Sequence, residues 1–238
     1  MKLPPLVPGT LLKRYKRFLA DVALDTGETV TAHCANPGAM LGLNAPGNRV
    51  WLSKSDNPKR KLAYSWELVE VGGVLIGINT GAPNKLAEEA IVAGRIAELA
   101  GYGRLRREVR YGTNSRIDIL LEDDTKPPAY VEVKNVHLMR KPGLAEFPDS
   151  VTTRGAKHLV ELGDMVTRGH RAVMLYVVQY PGTTRFTIAR DIDPAYAAAL
   201  EKARNRGVET LCYGCDITTD AIALSYALEM DTQEAEGQ

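Results

Sequence analysis

The stretch RIDILLEDDTKPPAYVEVKNV, from Arg116 to Val136, decides the fold, because two apolar strand-like segments flank a polar turn. Each segment carries charge where a buried strand would be apolar: Asp118 lies in the first, and Glu132 and Lys134 lie in the second. An antiparallel hairpin centred on Thr125 would bring Asp118 opposite Glu132. Because side chains alternate along a strand, Asp118, Glu132 and Lys134 then share one face.

The opposite face of this predicted hairpin is uniformly apolar, and we expect it to pack on the core through Ile117, Ile119, Leu121, Val131 and Val133. On the charged face, two neighbouring carboxylates repel each other unless a cation lies between them. Mg²⁺ (or Mn²⁺) is the predicted cofactor, since Mg²⁺ uses one or two carboxylates together with water and phosphate oxygens. Asp118 and Glu132 are the predicted ligands, and Lys134 is predicted to orient or deprotonate a water or to stabilise developing charge.

An ordinary salt-bridge face on a surface hairpin is the alternative interpretation of these three charged residues. Two features favour the metal site. Glu132 and Lys134 are flanked by valines, as in a central strand buried on both faces. The charges also stand opposite each other rather than scattered along the hairpin.

The rest of the chain predicts two domains of different class. Residues 1–82 contain about five strand-like segments separated by loops, and one of these segments covers 10–24. This pattern indicates a small β-barrel such as an OB-fold. Residues 83–238 predict a mixed α/β domain in the order α, β, β, β, α, β, β, α, β, with a first helix capped by Asn84 and ended by Gly101. The segment over 208–217 is predicted to be the last strand, and the acidic tail over 229–238 is predicted to be frayed.

The spacing D-x(13)-E-x-K on two strands resembles the active site of PD-(D/E)XK nucleases, in which a glutamate on the upstream helix completes the set; NKLAEEAIVAG offers Glu88 or Glu89. More specifically, SRIDILL, YVEVKNV, FPDSVTTRGAKHLVEL, AHCANPGAM and LRREVRYG together resemble the sugar fermentation stimulation protein (SfsA) family. The resemblance covers nearly the whole chain. It implies an N-terminal OB-fold, a restriction-endonuclease-like C-terminal domain, DNA binding and a link to sugar use.

The net charge of the 238-residue chain is only +1, so attraction to nucleic acid has to come from local basic clusters. Such clusters occur at 13–17, 58–61 and 104–110, and TTRGAKHLVEL places Arg154, Lys157, His158 and Glu161 on one helix face. We expect the partner to be DNA, chiefly duplex and bound largely independently of sequence. The predicted nucleic-acid-binding residues are Lys13, Arg14, Tyr15, Lys16, Arg17, Arg116, Arg154 and Lys157.

Three cysteines and no recognisable export signal predict a cytoplasmic protein, and no apolar run is long enough to predict a membrane partner. Adjacent His33 and Cys34 on a strand would point to opposite faces, which argues against a nucleophilic pair. The pair Cys212 and Cys215 is a weak zinc signal without a second pair. We therefore expect these cysteines to be structural.

Three functions stay open at this point. The first is an Mg²⁺-dependent DNA endonuclease that hydrolyses phosphodiesters, which the intact acidic pair and lysine favour. The second is a non-catalytic DNA-binding regulator of sugar (maltose) utilisation genes, which the name of the resembled family favours. The third is a protein-interaction module with a vestigial site.

Overall fold

A computed structural model describes residues 1–231 of the chain, and its first part is a closed β-barrel. The strands are β1 (Leu6–Tyr15), β2 (Leu19–Leu24), β3 (Thr29–Cys34), β4 (Arg49–Lys54), β5 (Tyr64–Val71) and β6 (Val74–Gly77). They are ordered β3-β2-β1-β4-β5-β6, and a parallel pairing of β3 with β5 closes five of them into a barrel. The predicted fold class, an OB-like barrel followed by a mixed α/β part, is confirmed.

The single strand predicted over residues 10–24 is wrong, because the chain turns in its middle and forms the β1–β2 hairpin. Lys16 and Arg17 occupy the turn with φ values of 47° and 66°. Their left-handed conformation is uncommon for residues other than glycine, asparagine and aspartate. The segment contains none of the usual turn residues at this point, so its composition did not predict the turn.

The second part of the chain contains three α-helices and ten strands within the described residues. They are α1 (Ala82–Val92), a 3-10 turn (Ala97–Leu99), β7 (Arg104–Tyr111), β8 (Ser115–Glu122), β9 (Ala129–Val136), β10 (Leu138–Lys141), β11 (Leu144–Phe147), α2 (Thr153–Thr167), β12 (Arg171–Val178), β13 (Arg185–Ile188), α3 (Pro194–Asn205), β14 (Glu209–Ile217), β15 (Ile222–Ala227) and β16 (Glu229–Met230). Six strands form a sheet ordered β15-β14-β12-β9-β8-β7, and four form a second sheet ordered β10-β11-β13-β16.

Several element predictions in this part need correction. The first helix begins at Ala82 with Gly81 at the N-cap, so Asn84 lies inside its first turn, and it ends at Val92, well before Gly101. The short hairpin of β10 and β11 was not predicted. β13 does not pair with β12 but lies parallel to β11, and β15 and β16 follow the strand that was predicted to be last. The predicted frayed tail falls mostly on residues 232–238, which lie outside the described part of the chain.

The six-stranded sheet is buried on both faces at its centre, which explains the near-continuous apolar sequence of β12. One face packs with α1, and the buried residues there include four of the five predicted core positions: Ile119, Leu121, Val131 and Val133. The fifth, Ile117, belongs instead to the core on the other side, which contains α2 and α3. Glu108 of β7 lies between the partners of Ile119 and Ile117 in the β7–β8 ladder and has a φ of 54°, an uncommon conformation for a residue of this type.

No α-helix among residues 1–231 combines the length and the apolar character that crossing a bilayer requires.

Candidate active site

The central hairpin opens at the position of the two predicted carboxylates. The β8–β9 ladder ends at the pair Ile119 and Val131, so Asp118 and Glu132 occupy the next, unpaired level. Beyond the ladder, Oδ2 of Asp118 accepts the backbone N–H of Val133 at 2.8 Å. The side chain of Asp118 thus replaces a ladder partner and holds the opened strands in place.

Glu132 lies at the centre of a buried cluster of protein donors. Its side chain is 3% exposed, and Oε1 accepts a hydrogen bond from Nζ of Lys134 at 2.7 Å. Nδ1 of His158, on α2, contacts the same oxygen. Nε of Arg154 donates to Nε2 of His158 at 3.3 Å, so Nε2 is an acceptor and the ring N–H on Nδ1 is directed at Glu132. The packing of α2 beside the hairpin is therefore what brings Arg154 and His158 to Glu132.

The two carboxylates have pKa values shifted in opposite directions. Burial, followed by the negative charge of Glu132, raises the pKa of Asp118 above its usual value of 3.8. Burial also acts to raise the pKa of Glu132, but the His158 hydrogen bond and the charge of Lys134 outweigh it and lower that pKa below 4.5. Glu132 is therefore anionic at neutral pH, and Asp118 is the carboxyl whose ionisation the site resists.

One oxygen of this cluster has no protein partner. Oε2 of Glu132 is buried and accepts no hydrogen bond from any described residue, because Lys134 and His158 both contact Oε1. A buried carboxylate oxygen left in this way is costly unless a cation or ordered water contacts it. No group of three or more His, Cys, Asp or Glu side chains among residues 1–231 could hold a metal by itself. The donor set is instead two carboxylates, which suits Mg²⁺ that keeps several waters.

The upstream acid of the site was predicted on α1 as Glu88 or Glu89. Glu88 pairs with Arg107 at 3.1 Å, and Glu89 pairs with the N-terminal amine at 2.7 Å. The α1 side chain that contacts Asp118 is Asn84, whose Nδ2 donates to Oδ1 at 2.8 Å. The role of either glutamate in the site stays a prediction.

The cationic segment at 13–17 is arranged differently from a uniformly exposed basic strand. Lys13 pairs with Asp21 at 3.3 Å, and the hydroxyl of Tyr15 donates to the same carboxylate at 3.1 Å. Arg14 donates to several backbone carbonyls of the loop after β3. Lys16 and Arg17 are exposed in the hairpin turn.

Phe18, an exposed aromatic residue, follows this turn. Alternation along a single strand would place it on the face opposite Tyr15. Phe18 is 44% exposed and stacks on His33, with ring centroids 6.4 Å apart and an interplanar angle of 18°. Arg60 and Lys61 lie beside His33 on the same side of the barrel. An exposed ring among cations is a feature of surfaces that bind single-stranded nucleic acid.

The remaining predicted nucleic-acid-binding residues lie on β8 and α2, the elements that carry Asp118 and His158. Arg116 is exposed on β8, two residues before Asp118. Nζ of Lys157 is held by the backbone oxygen of Thr113 at 3.1 Å and by Glu161 at 3.6 Å.

The basic cluster at 104–110 is largely neutralised by acidic neighbours. Arg104 and Arg106 pair with Asp124 and Glu122, and Arg107 with Glu88, as described above. This strand therefore presents much less positive charge than its sequence suggests.

The three cysteines are free thiols buried in the core. Burial raises the pKa of the Cys34 and Cys212 thiols, and it raises the pKa of Cys215 to about 12. Thiols in this state are not nucleophiles at neutral pH.

Sequence reasoning missed a second polar cluster, in which His137 and Asp149 lie 3.2 Å apart in the wall of a cavity between the barrel and the second part of the chain. The segments AHCANPGAM and FPDS that build it contribute to the family resemblance, but their meeting in space was not predicted. The recurrence of histidine, asparagine and aspartate in segments that are distant in sequence was the available signal.

Comparison with known proteins agrees with these features. A family model described as SfsA N-terminal OB domain matches residues 12–78, and one described as Sugar fermentation stimulation protein RE domain matches residues 81–221. The "Sugar fermentation stimulation protein homolog" of Rhodospirillum centenum is 60% identical over 231 residues, covering 97% of this chain and 99% of that protein. The homolog of Maricaulis maris is 56% identical, covering 98% of this chain and 100% of that protein.

A solved structure also resembles the whole chain. It is described as "The structure of Pyrococcus Furiosus SfsA in complex with Ca2+", and it superposes with a TM-score of 0.88 at 27% identity, covering 97% of this chain and 98% of that one. The family resemblance predicted from the sequence motifs is thereby confirmed, and the chain belongs to the sugar fermentation stimulation protein (SfsA) family.

Proposed function

We propose that this chain is a DNA-binding protein that hydrolyses phosphodiester bonds with a divalent metal held between Asp118 and Glu132. The observation that carries the proposal is the buried, unpartnered Oε2 of Glu132 beside a second carboxylate whose ionisation the site disfavours. A divalent cation relieves both problems at once, because it contacts the free oxygen and stabilises the ionised form of Asp118. The Pyrococcus furiosus SfsA structure is a complex with Ca²⁺, which supports a divalent metal in this family.

Each residue of the cluster has a separate role in this proposal. Asp118 and Glu132 would hold Mg²⁺ or Mn²⁺, which when bound supplies Lewis-acid stabilisation of charge on the phosphate oxygens. Lys134, anchored by Glu132, would direct its ammonium protons at the attacking water or at the charge that develops on the phosphate. His158 and Arg154 would fix Glu132 in the orientation that leaves Oε2 available.

DNA would approach over the cations that border the acidic pair. Arg116 and Arg154 are exposed there, so they can neutralise phosphates on either side of the bond to be cleaved. The barrel would contribute Lys16 and Arg17 together with the ring of Phe18, on which an unpaired base can stack. Because these contacts reach the backbone and the base face, we expect little sequence preference.

A plasmid-nicking assay with Mg²⁺, Mn²⁺, Ca²⁺ or EDTA tests the proposal. Wild-type protein should nick DNA with Mg²⁺ or Mn²⁺ and not in EDTA, and Glu132→Gln should abolish nicking. Glu122→Gln is the matched control, because this glutamate is the last residue of β8 and forms an ion pair with Arg106 rather than with the acidic cluster. If no divalent ion supports cleavage, or if Glu132→Gln cleaves as well as wild type, the nuclease proposal is wrong.

A second candidate is a DNA-binding regulator of sugar-utilisation genes without hydrolytic activity. The names of the relatives support a link to sugar fermentation, and the N-terminal OB-like barrel supports a binding role. This candidate predicts that DNA binding is the same with Mg²⁺ and with EDTA and that the DNA stays intact. Chromatin immunoprecipitation with sequencing would then show enrichment at sugar-utilisation promoters, which a sequence-independent nuclease would not show.

A further inference from the structure

A cavity of about 680 Å³ lies between the barrel and the second part of the chain, next to the acidic pair and separate from it. The barrel contributes Arg14, Arg17 and the loop at 36–39. The facing wall is built by Asn135 near the end of β9, by His137 just after that strand, and by the segment at 147–152 that leads into α2. This volume falls within the range of pockets that hold small molecules.

The barrel side of the cavity is rigidly constructed around one guanidinium. Nη2 of Arg14 donates to the backbone oxygens of Asn36 and Gly38 at 2.8 and 2.9 Å, and Nε donates to the oxygen of Arg17 at 3.1 Å. The Asn36 side chain in turn accepts the N–H of Gly38 at 2.9 Å. Arg14 thus provides fixed positive charge and structure, while most of its donors are already used.

The facing wall holds a chain of oriented polar groups. Nε2 of Gln179 donates to Oδ1 of Asn135 at 2.6 Å, so the Asn135 amide nitrogen faces Nδ1 of His137 at 2.8 Å. His137 therefore carries its proton on Nε2, which faces Asp149 at 3.2 Å. The Asp149 carboxylate also accepts the backbone N–H of Met40, so protein donors already satisfy it.

Close contact across this interface leaves no room for another side chain at position 38. A Cβ built on Gly38 would lie 2.4 Å from Oδ2 of Asp149. The glycine therefore lets the barrel loop lie directly against the Asp149 carboxylate.

Donors that remain unused in the cavity point to an anionic ligand. Arg17 is exposed in the hairpin turn, and its guanidinium has no partner among residues 1–231. Guanidinium groups suit phosphate because they can donate two parallel hydrogen bonds. The backbone N–H groups of Thr153 and Arg154 open α2 without intrahelical partners, and they lie next to Thr152 in the cavity wall.

Another part of the lining is apolar and includes an aromatic ring. Phe147, Pro148 and Pro37 belong to it, and Phe147 is held edge-on against Tyr196 with ring centroids 5.1 Å apart. A ligand that carries a phosphate at one end and a flat apolar body at the other would match both kinds of lining.

We infer that this cavity binds a nucleoside monophosphate unit, either as the free nucleotide or as the terminal nucleotide of a DNA strand. Arg17 and the start of α2 contact the phosphate, and Phe147 with its neighbouring prolines contacts the base. The inference rests on the proposed function and deepens it, because two elements connect the cavity to the acidic pair. Asn135 directly follows Lys134 on β9, and α2 extends over about 9 Å from Thr152 to His158. A strand end seated in the cavity would therefore lie one or two nucleotides from Glu132.

Binding in EDTA tests the inference without requiring hydrolysis, so its failure is distinguishable from failure of the metal-dependent chemistry. Isothermal titration calorimetry would compare a deoxynucleoside 5′-monophosphate with the deoxynucleoside, inorganic phosphate and glucose 6-phosphate. A second series would compare short single-stranded DNA with and without a terminal phosphate at the 5′ or 3′ end. Saturable binding of the nucleotide, or of phosphorylated ends alone, supports the site and identifies its source.

Two exposed arginines provide a matched pair of variants. Arg17→Asn removes the guanidinium and keeps a residue type that tolerates the φ of 66°, while Arg168→Asn makes the same change after the last turn of α2, outside the cavity lining. Arg17→Asn should weaken nucleotide binding by about tenfold or more, as expected for loss of a charge-assisted hydrogen bond. Arg168→Asn should change it by less than about threefold, as expected for a screened surface charge.

Several outcomes would overturn the inference. These are no nucleotide binding at millimolar concentration, equal weakening by the two variants, or binding of the deoxynucleoside as tight as that of the nucleotide. Equal binding of glucose 6-phosphate would overturn the assignment of the apolar half to a base. Both positions are exposed, so thermal melts of the variants should match wild type and exclude unfolding as the cause.

Discussion

The Asp118→Asn variant should be more stable than wild type in EDTA and less stable in Mg²⁺. The substitution removes one negative charge and keeps the shape of the side chain. The introduced amide can still accept the N–H of Val133 through its oxygen, and its nitrogen can donate to Asn84 once the Asn84 side chain rotates by half a turn. The number of hydrogen bonds is therefore preserved, and the change isolates the cost of the charge.

The direction follows from the raised pKa of Asp118, which burial and then the charge of Glu132 cause. Each unit by which a folded-state pKa exceeds the unfolded value costs about 1.4 kcal/mol once the group is ionised. We therefore expect Asp118→Asn to be more stable than wild type near pH 7.5, and each gain of about 1 kcal/mol would raise Tm by about 2–4 °C for a chain of this length. Because the folded pKa is raised, the gain should be absent below the usual value of 3.8 and should develop as the pH rises through the folded pKa.

Mg²⁺ should reverse this order of stability between wild type and Asp118→Asn. A ligand at 100 times its Kd stabilises the folded state by about 2.7 kcal/mol, so saturating Mg²⁺ should raise the Tm of wild type above that of the variant. Differential scanning fluorimetry at several pH values, with EDTA or Mg²⁺, measures both effects. Glu122→Gln is the control: its exposed ion pair is worth about 1 kcal/mol or less, and it should respond to Mg²⁺ as wild type does. A lower Tm of Asp118→Asn in EDTA, or equal Mg²⁺ shifts in both proteins, would refute the reasoning.

Three further outcomes are expected. Glu132→Gln, unlike Asp118→Asn, should lose about 1.5–3 kcal/mol in urea unfolding in EDTA, because Lys134 and His158 lose a charged acceptor; a more stable variant would contradict this. Arg154→Ala should weaken DNA binding in fluorescence anisotropy while changing stability by less than about 1 kcal/mol, and unchanged affinity would exclude a phosphate contact. For each tenfold rise in salt, affinity for duplex DNA should fall by about 0.9 logarithmic units per neutralised phosphate, and a flat salt dependence would rule out mainly electrostatic binding.

The sequence predicted the central hairpin well because two constraints acted on the same residues. Alternation placed four of the five apolar side chains on the observed face, with Ile117 as the exception. The symmetric spacing about Thr125 determined the register, and the observed ladder, with Ile119 opposite Val131, has that register. The unpaired level beyond Ile119 could not be predicted. It depends on the Asp118 carboxylate taking a backbone N–H, a choice between side-chain and main-chain acceptors that spacing does not encode.

Contacts that join distant segments were the least predictable part of the site. His158 was placed on the correct polar helix face, yet its contact with Glu132 depends on how α2 packs across the sheet. Arg14 was interpreted as a DNA contact because it lies in a basic run, whereas in the fold it faces a loop more than twenty residues away. Charge patterning along a strand cannot distinguish a cation that faces solvent from one that binds carbonyls, because both have the same local sequence.

The arrangement around Glu132 argues for a ligand rather than for a structural ion pair. Burying a carboxylate carries a desolvation cost that mutual attraction offsets only when the remaining lone pairs are also satisfied. Here Lys134 and His158 both engage Oε1, and Oε2 stays buried without a protein partner among the described residues. A structural pair would gain stability by sharing its donors between the two oxygens. Arg154 instead fixes the proton of His158 toward Oε1, so Oε2 stays available to a cation or a water molecule.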